Sequence, residues 1–495
     1  MQKEECRKIL PLRGLGILMI LLAGCKVGPN YQRPAVDSPQ VFRRAASDAT
    51  LSHGTNSFAD LGWWDVYDDH QLKIYIREAL TNNWDVKIAA ARVLEAEASA
   101  QITRSQFFPT VNAGGDLFTS RSSEKGPVPV PSGVNPEQRY GDVFLSMPAY
   151  ELDLWGRIRR ANEAARARLL QSEEAQHIVR QTLVSDVATT YLQLLELDME
   201  LQIGYASYTN RTNSLVLTQS RQEGGVSSLQ DVYQAKVLVY TAQASIATTS
   251  RLIEQTENAM NILLGRNPGT IHRSASLNDY KLRASVPPGL PSSLLERRPD
   301  IRAAEQDLIA ANADIGQAKA AFFPRVTLTG AFGYQTVALS DLFTAPARTW
   351  QFGPSVSFPL FTGGRLRGNL NLARATFEES LARYQQTVQN AFREVSDALI
   401  AYQRNQEFYA RQKDLTQADR DAAQLAAVRY EGGVTSYLEV LYNEQQLFDA
   451  ELQLAQARRD ELLSVVELYR ALGGGWETPV AARAAEFSNT AVGMK

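Results

Sequence analysis

The chain has 495 residues, a formal net charge of −3, a hydrophobic fraction of 44% and a mean hydropathy of −0.26. The near-neutral charge leaves no basic surface of the kind that binds nucleic acid. The hydropathy excludes a bundle of transmembrane helices, but it leaves a transmembrane barrel open, because alternation along a strand dilutes the apolar signal. Both cysteines, Cys6 and Cys25, lie at the extreme N-terminus, so no disulfide framework holds the fold.

Residues 1–24 have the pattern of a lipoprotein signal peptide. Four basic residues precede an apolar core from Leu15 to Leu22 that is too short to span a membrane as a stable helix. The run Leu22-Ala23-Gly24-Cys25 resembles a bacterial lipobox, in which the cysteine is acylated and becomes the first mature residue. In that resemblance Lys26, where an Asp would retain the protein at the inner membrane, implies sorting to the outer membrane. Cys25 is therefore predicted to be a lipid anchor.

Residues 25–60 contain several prolines and no periodicity, which predicts an extended arm lying over other structure. Helices are expected from residue 61 onwards, with a break at Thr81-Asn82-Asn83. Trp63 and Trp64 are expected to be packing anchors and not a ligand cage.

Two segments, at about 107–153 and about 322–361, alternate as β-hairpins do. In the second, Val326, Leu328 and Phe332 share one face of a strand, and Thr327 and Thr329 lie on the other. Each arm is about as long as the roughly 9 to 11 residues that a tilted strand needs to cross an outer membrane. The alternative is a hairpin of a soluble protein, with one face buried in the protein and the other exposed to water.

A long helical hairpin follows each β-hairpin, over 157–264 and 365–472. Residues 157–222 contain no proline and one interior glycine, which predicts a helix on the order of 100 Å long. The turns EGGVSSLQD and EGGVTSYLE then reverse the chain.

The chain repeats itself. The second Gly-Arg pair follows the first by 208 residues (365 against 157), and the turn glycines have the same offset (432 against 224). The longer loop of the first hairpin explains an offset of 215 at Phe-Phe-Pro (322 against 107). The sequence thus predicts two structural repeats, 61–270 and 292–476, with a connector at 271–291 and a tail at 477–495.

Six motifs in one order resemble the TolC/OprM family of outer-membrane efflux factors, in its lipoprotein (NodT-like) branch. They are KVGPNYQRP after the lipobox, W-x-x-Y-x-D-x-x-L from Trp64 to Leu72, LLERRPDIRAAEQ, IGQAKAAFFP, PLFTGGRLRGN and RYEGGVTSYLEVL. The resemblance implies a mixed α and β membrane protein, a trimeric 12-stranded transmembrane β-barrel continuous with a long periplasmic α-helical coiled-coil tunnel. The requirements of strand pairing agree with a trimer. The four strands of one chain cannot close into a barrel, and open sheet edges are not tolerated in lipid.

The function implied by the resemblance is passive export, by the outer-membrane channel of a tripartite efflux pump in a Gram-negative bacterium. Its implied partners are two further copies, a periplasmic adaptor (membrane fusion) protein, an inner-membrane RND-type transporter and outer-membrane lipid. The sequence contains no G-x-x-x-x-G-K-[ST], G-x-S-x-G or H-E-x-x-H motif, so no enzyme activity is expected. No cofactor or metal is expected beside the acyl chains, since the four histidines are scattered (His53, His70, His177 and His272).

The two turns are the candidate periplasmic gate. By resemblance, Leu438 occupies the family's apolar constriction and Glu439 one of its acidic aperture positions. Tyr442 replaces a second acidic residue. Asp231 matches an acidic residue that in some members pairs with a basic residue of the second turn. In this chain Thr435 occupies the position of that basic residue. The ion pair with Asp231 is therefore either absent or formed by Arg221 or Arg429 instead. The alternative is that these are solvated charges at helix ends.

The same turns are the candidate adaptor-docking surface, with Gly224, Gly225, Gly432, Gly433, Ser228 and Ser436. Glycine permits close approach of another backbone and also permits the reversal itself, so a purely structural role stands beside docking. Two other functions stay open at this point, a channel for type I protein secretion and a lipid-anchored coiled-coil scaffold. The sequence does not specify the exported substrate.

Overall fold

A computed structural model describes residues 26–37, 39, 42, 57–67, 69–127, 130–131, 133–280 and 291–476. Within these residues the longer helices and the strands are α1 (His70–Asn82), α2 (Trp84–Ser105), β1 (Asn112–Arg121), β2 (Glu137–Leu152), α3 (Arg157–Glu223), α4 (Leu229–Leu263), α5 (Pro299–Ala320), β3 (Arg325–Thr336), β4 (Arg348–Ser357), α6 (Arg365–Glu431) and α7 (Tyr437–Ala471). Two single-turn helices span Trp63–Val66 and Leu294–Arg297. The predicted signal peptide, Cys25, residues 281–290 of the connector and the C-terminal tail lie outside the described residues.

The chain divides into two compact units. Unit 1 takes the N-terminal residues to Pro34 together with Leu94–Gln171 and Glu305–Arg383, and it contains the whole sheet. Unit 2 takes Ala35–Val93, Ser172–Ala304 and Tyr384–Lys495, and it contains both helical turns. Each unit therefore draws segments from both sequence repeats, so a repeat is not a unit.

The sheet is antiparallel with the strand order β1-β2-β3-β4. The pairing of β2 with β3 joins the two hairpins, and β1 and β4 are the edges. Residues opposite one another in the register share a face, so Leu145, Phe332 and Trp350 lie side by side on the same surface. This surface, the apolar face, ends at Thr336 and Arg348 and otherwise consists of Ala113, Gly115, Leu117, Gly141, Val143, Leu145, Met147, Tyr150, Leu152, Val326, Leu328, Gly330, Phe332, Tyr334, Trp350, Phe352, Pro354 and Val356.

One irregularity interrupts the sheet, a register shift in β2 between Met147 and Tyr150. Pro148 lies inside it. Because proline has no backbone N–H to donate, the interior of a sheet accepts it at a bulge. The extra residue of the bulge shifts the in–out alternation of the side chains by one position. Tyr150 and Leu152 therefore lie on the same apolar face as Met147.

The long helices reproduce the repeat. Both α3 and α6 have 67 residues, and both α4 and α7 have 35. The turns EGGVSSLQD and EGGVTSYLE end at Asp231 and Glu439, which places the return helices from Val232 and Val440, but α4 begins at Leu229 and α7 at Tyr437. Both helices begin directly after an N-cap serine, Ser228 or Ser436, three residues earlier than the sequence indicates.

Local signals explain the other boundaries. Asn83 ends α1 and accepts hydrogen bonds through its side chain from the N–H groups of Asp85 and Val86, which starts α2. The helix α5 begins at Pro299, and proline suits this first-turn position because its missing N–H would have no partner within the helix. Gly363 and Gly364 have positive φ of 57° and 87° directly before α6, so these two glycines turn the chain from β4 into the helix.

The hydrophobic core of unit 2 gathers side chains from most of its segments. Trp63 is fully buried there with Leu72, Ile76 and Tyr191, which confirms its expected role as a packing anchor. Unit 1 has a smaller alanine cluster in which Ala164 and Ala313 bring α3 and α5 together. No helix in the described part of the chain combines the length and the hydrophobicity needed to cross a membrane.

Candidate functional site

The two helical turns of unit 2 have the same backbone. In the first, the N–H of Gly225 donates to the carbonyl of Gln222 at 2.9 Å and the N–H of Val226 donates to Arg221 at 2.9 Å. In the second, Gly433 donates to Tyr430 at 3.0 Å and Val434 to Arg429 at 2.9 Å. This pair of bonds is the Schellman motif, which satisfies the last carbonyls of a helix.

The four turn glycines differ in what their conformation requires. Gly225 and Gly433 have positive φ of 76° and 73°, a region that other residues occupy at a cost, so the reversal alone accounts for them. Gly224 and Gly432 do not have positive φ, and a Cβ at either position would lie 3.5 Å from the nearest atom, an ordinary contact. The turn itself therefore does not demand glycine at 224 and 432.

Asp231 belongs to a helix cap. Its carboxylate accepts hydrogen bonds from the Ser227 hydroxyl at 2.8 Å and the Ser228 N–H at 3.0 Å, and the Ser228 hydroxyl accepts from the Asp231 N–H at 3.2 Å. Partial burial by itself raises the pKa of this carboxyl, but the hydrogen bonds from Ser228 and Ser227 outweigh it and hold the pKa below its ordinary value.

The equivalent residue of the second turn, Glu439, is used differently. Its carboxylate lies 3.3 Å from the guanidinium of Arg429 and accepts a hydrogen bond from the Thr435 hydroxyl. Ser436 is the N-cap residue of α7 and makes no side-chain capping bond. The second turn is thus held by an ion pair where the first is held by serine hydroxyls.

Arg221 connects the two turns. Its guanidinium donates to the carbonyl of Tyr430 at 3.1 Å and lies 4.6 Å from the centre of the Tyr430 ring. The Tyr430 ring in turn packs against Tyr437, with the centroids 5.4 Å apart. A cation at the C-terminal end of α6 also interacts favourably with the helix dipole.

Leu438 and Tyr442 project from the surface of α7. Each is 60% exposed in the single chain, and they lie one helical turn apart. The structure therefore brings Glu439, Arg429 and Thr435 into contact, and it leaves Leu438 and Tyr442 exposed beside them.

The sequence-based predictions do not include one buried polar side chain of unit 2, that of Arg211 on α3. Arg211 is 1% exposed, donates to the Leu238 carbonyl and the Gln445 side chain, both at 3.1 Å, and stacks on Phe448. Burial lowers its pKa, although Glu444 and Asp449 oppose the shift. No signal in the sequence distinguishes Arg211 from the exposed arginines of the same helix.

Glu444 lies close to this group. It accepts a hydrogen bond from the Ser214 hydroxyl at 3.0 Å. Burial raises the pKa of its carboxyl, and Ser214 and Arg211 oppose the shift. A cavity of about 490 Å³ borders Arg211 and Glu444 between α3, α6 and α7.

In the described ranges, no group of three or more His, Cys, Asp or Glu is placed so that it could hold a metal ion. The contacts observed at the turns are hydrogen bonds, an ion pair and an arginine–aromatic contact.

Comparison with known proteins gives consistent matches. The family profile described as "Outer membrane efflux protein" matches residues 75–266 and 290–474. The chain is 37% identical over 470 residues to the toluene efflux pump outer membrane protein TtgF of Pseudomonas putida, covering 93% of this chain and 96% of that protein. It is 35% identical over 472 residues to the cation efflux system protein CusC of Escherichia coli, covering 95% and 99%.

A solved structure also resembles the fold. It is the crystal structure of the open state of the Neisseria gonorrhoeae MtrE outer membrane channel, which superposes with a TM-score of 0.82 at 30% identity. The match covers 92% of this chain and 99% of that chain.

Proposed function

Because this chain belongs to the outer membrane efflux protein family, we propose that it forms the outer-membrane channel of a tripartite efflux pump. The channel receives substrate from an inner-membrane transporter through a periplasmic adaptor and releases it outside the cell. It conducts passively and is not an enzyme. The single observation that carries the proposal is the apolar face, which runs across all four strands as the lipid-facing side of a membrane pore must.

The pore is a homotrimer. The edges β1 and β4 have no partner strand within the described part of the chain, and unpaired backbone groups are costly in hydrocarbon. Pairing of β4 with β1 of the next copy removes both edges. Three chains then supply 12 strands, an even number suited to a closed antiparallel barrel.

The turns of unit 2 form the periplasmic gate. In the trimer, three copies of Leu438 supply an apolar constriction and three copies of Glu439 supply a ring that favours cations, while Tyr442 takes the place of a second acidic residue. The ion pair of Glu439 with Arg429 and the link from Arg221 to Tyr430 hold the turns in the described arrangement. Opening requires these contacts to break or to exchange partners.

The same turns receive the adaptor. Gly224 and Gly432, where the backbone conformation does not require glycine, leave room for another chain to approach, and Ser228 and Ser436 follow four residues later in the chain. Gly225 and Gly433 serve the reversal instead. The adaptor in turn connects the channel to an RND-type transporter.

Cys25 carries the acyl chains that anchor the mature protein in the outer membrane. The exported substrate follows from the transporter and not from this chain. The relatives TtgF and CusC are named for toluene and for cations, two chemically unlike cargoes, at nearly the same identity to this protein.

Planar-bilayer conductance of the detergent-purified protein tests the function, with the oligomeric mass measured on the same sample. We expect a trimer with small, cation-selective and gated conductance. A monomer without conductance would contradict both the pore and the trimer.

A further inference from the structure

Three aromatic rings lie on the side of the sheet where water is expected. We call the side opposite the apolar face the polar face, and in the proposed channel it lines the pore. Most of its side chains are small or hydrophilic, as Asn112 and Ser146 are. Towards the end of the sheet remote from the helices it also carries Phe118, Tyr140 and Phe144. The lining of a water-filled pore is ordinarily polar, so these rings differ from their surroundings.

The rings lie close to two carboxylates. Phe118 and Tyr140 are opposite each other in the register, and their ring centroids are 5.1 Å apart. The next opposite pair on the polar face is Asp116 and Asp142, and Phe144 follows it. Successive residues on one face of a strand are about 6.8 Å apart, so the acidic pair lies between two aromatic rows. We call these five residues the mouth patch.

The charge of the mouth patch is not balanced on its own side of the sheet. The Asp142 carboxylate accepts a hydrogen bond from the Asp116 N–H at 3.2 Å, but like charges directly opposite each other still repel. The same strand ends contain basic residues that fall on the opposite side of the sheet, namely Arg121, Arg139 and Arg348. This end of the polar face is therefore acidic, and a cation that binds there relieves the repulsion.

Glycines give the third ring its place. A Cβ at Gly114 would lie 2.9 Å from the ring of Phe144, and a Cβ at Gly333 would lie 2.8 Å from the Phe144 Cβ. Both glycines share the row of Phe144 on the polar face. Phe144 is half-buried, and Phe118 is 47% exposed, so both rings have accessible surface.

Space for a ligand adjoins the mouth patch. A cavity of about 740 Å³ is bordered by Tyr140, by Gln335 and by the segment 336–347 between β3 and β4. Its lining includes a further carboxylate, that of Asp341. A volume of several hundred cubic ångströms is typical of sites for small organic molecules.

We propose that the mouth patch binds planar organic cations as they leave the channel. The inference rests on the proposed function, which makes the polar face the wall of the pore. Aromatic rings stack on flat ligands and attract cations to their faces, and carboxylates add charge attraction while they repel anions. Rings alone suit neutral aromatic molecules, and carboxylates alone suit any small cation. The alternation of the two kinds of row favours a ligand that is both flat and positively charged.

Equilibrium binding of N-methylacridinium, a flat fluorescent cation, tests the site on the trimer purified in dodecyl maltoside. We expect saturable binding, one dye per chain, measured by fluorescence anisotropy. Tetramethylammonium, a cation that is not flat, and anthracene sulfonate, a flat anion, should not displace the dye. Displacement by tetramethylammonium at equal concentration would overturn the proposal, because it indicates a site for cations of any shape.

Charge variants test the acidic row. Asp116→Asn together with Asp142→Asn should weaken dye binding about tenfold, because the bound cation loses both carboxylates. Glu137→Gln is the matched control, since it removes one negative charge of β2 from the opposite side of the sheet, and it should bind as the wild type does. Equal affinity of the double variant and the wild type would exclude the acidic row from the site.

Ring variants test the aromatic rows. Phe118→Leu and Phe144→Leu should each weaken binding about threefold, because leucine keeps apolar volume but has no ring face for the cation. Phe332→Leu is the control, since Phe332 is 49% exposed on the apolar face. Each variant is first shown to form the trimer, and the two substitutions at 118 and 144 test the rows independently. Wild-type affinity in both would overturn the proposal.

Conductance of the same samples separates this site from the proposed function. A conducting trimer that binds no dye refutes only the mouth patch. A protein that forms no channel in any preparation refutes the proposed function. The transporter still selects the cargo, and the mouth patch contacts it at the exit.

Discussion

At the residue scale, equivalent positions of the two repeats have acquired different partners. Asp231 and Glu439 both occupy the third position of a return helix, yet Asp231 completes a capping box with Ser228 while Glu439 pairs with Arg429. The acidic residue of the first turn therefore stabilises its own helix, and that of the second forms an ion pair with the preceding helix.

Removal of the second-turn contacts should open the channel. We expect Glu439→Ala with Tyr442→Ala to raise single-channel conductance in planar bilayers and to reduce cation selectivity, because Arg429 loses its carboxylate. Glu407→Ala is the control, since Glu407 also pairs with an arginine, Arg404, on the surface of α6. Unchanged conductance and selectivity would remove Glu439 and Tyr442 from the gate.

Loss of the Ser228 cap should loosen the start of α4. We expect Ser228→Ala to lower the local free energy of opening by about 1 kcal/mol, measured by amide hydrogen exchange over residues 229–235. Ser436→Ala should change exchange at the start of α7 much less, because Ser436 makes no side-chain cap. Equal effects of the two substitutions would show that the caps do not differ.

The stabilisation that the Asp231 carboxylate contributes to the start of α4 depends on pH. The pKa of Asp231 is lower in the folded protein than in the unfolded chain. Its stabilisation is therefore fully present above the unfolded pKa of about 3.9, and it is lost as the pH falls through the folded value. Protection of α4 measured by exchange should decline on acidification in that window, and Asp231→Asn should abolish this decline.

At the scale of the elements, each turn contains one glycine that the backbone needs and one that it does not. We expect Gly225→Ala to destabilise the turn by about 1 kcal/mol, because alanine must adopt positive φ. Gly224→Ala should leave hydrogen exchange of the turn unchanged but weaken capture of the cognate adaptor. If Gly224→Ala binds the adaptor as the wild type does, the docking role of that glycine is wrong.

The sheet gives a matched pair of neighbours on opposite faces. Phe352 lies on the apolar face opposite Gly330, and Gln351 lies on the other face opposite Ala331. We expect Phe352→Arg to cost about 2–4 kcal/mol near the bilayer midplane and to reduce the yield of inserted trimer. Gln351→Arg should insert normally and alter conductance instead. Insertion of both variants at wild-type yield would contradict the assignment of the lipid-facing side.

At the scale of the whole molecule, duplication and folding do not divide the chain in the same way. Each repeat supplies one hairpin to the sheet of unit 1 and one helical turn to unit 2. Attachment to the membrane likewise has two sources, the apolar face and the predicted acyl chains.

These two sources can be separated. We expect a Cys25→Ala protein, exported with a cleavable non-lipoprotein signal, to stay in the membrane fraction and to need detergent for extraction, because the apolar face is sufficient. Release into buffer without detergent would instead favour the lipid-anchored scaffold. The same experiment on wild-type protein is the control for the extraction conditions.

The sequence by itself determined the repeat, the strands, the long helices and the family, because periodicity and six ordered motifs are local in the chain. The match of the family profile confirms the resemblance drawn from those motifs. Helix bounds agreed to within a few residues, and the starts of α4 and α7 were each placed three residues late because their N-cap serines, Ser228 and Ser436, were counted with the turns.

Only the tertiary structure decided how distant polar side chains pair. Arg429 could have rebuilt a link to Asp231, yet it contacts Glu439, and Arg221 contacts Tyr430, 209 residues away. The burial of Arg160 against residues 27–30 and of Arg211 beside Phe448 has no sequence signature. The local sequence around an arginine on a long polar helix is the same whether its side chain faces solvent or another segment. Burial depends on neighbouring residues that lie elsewhere in the chain.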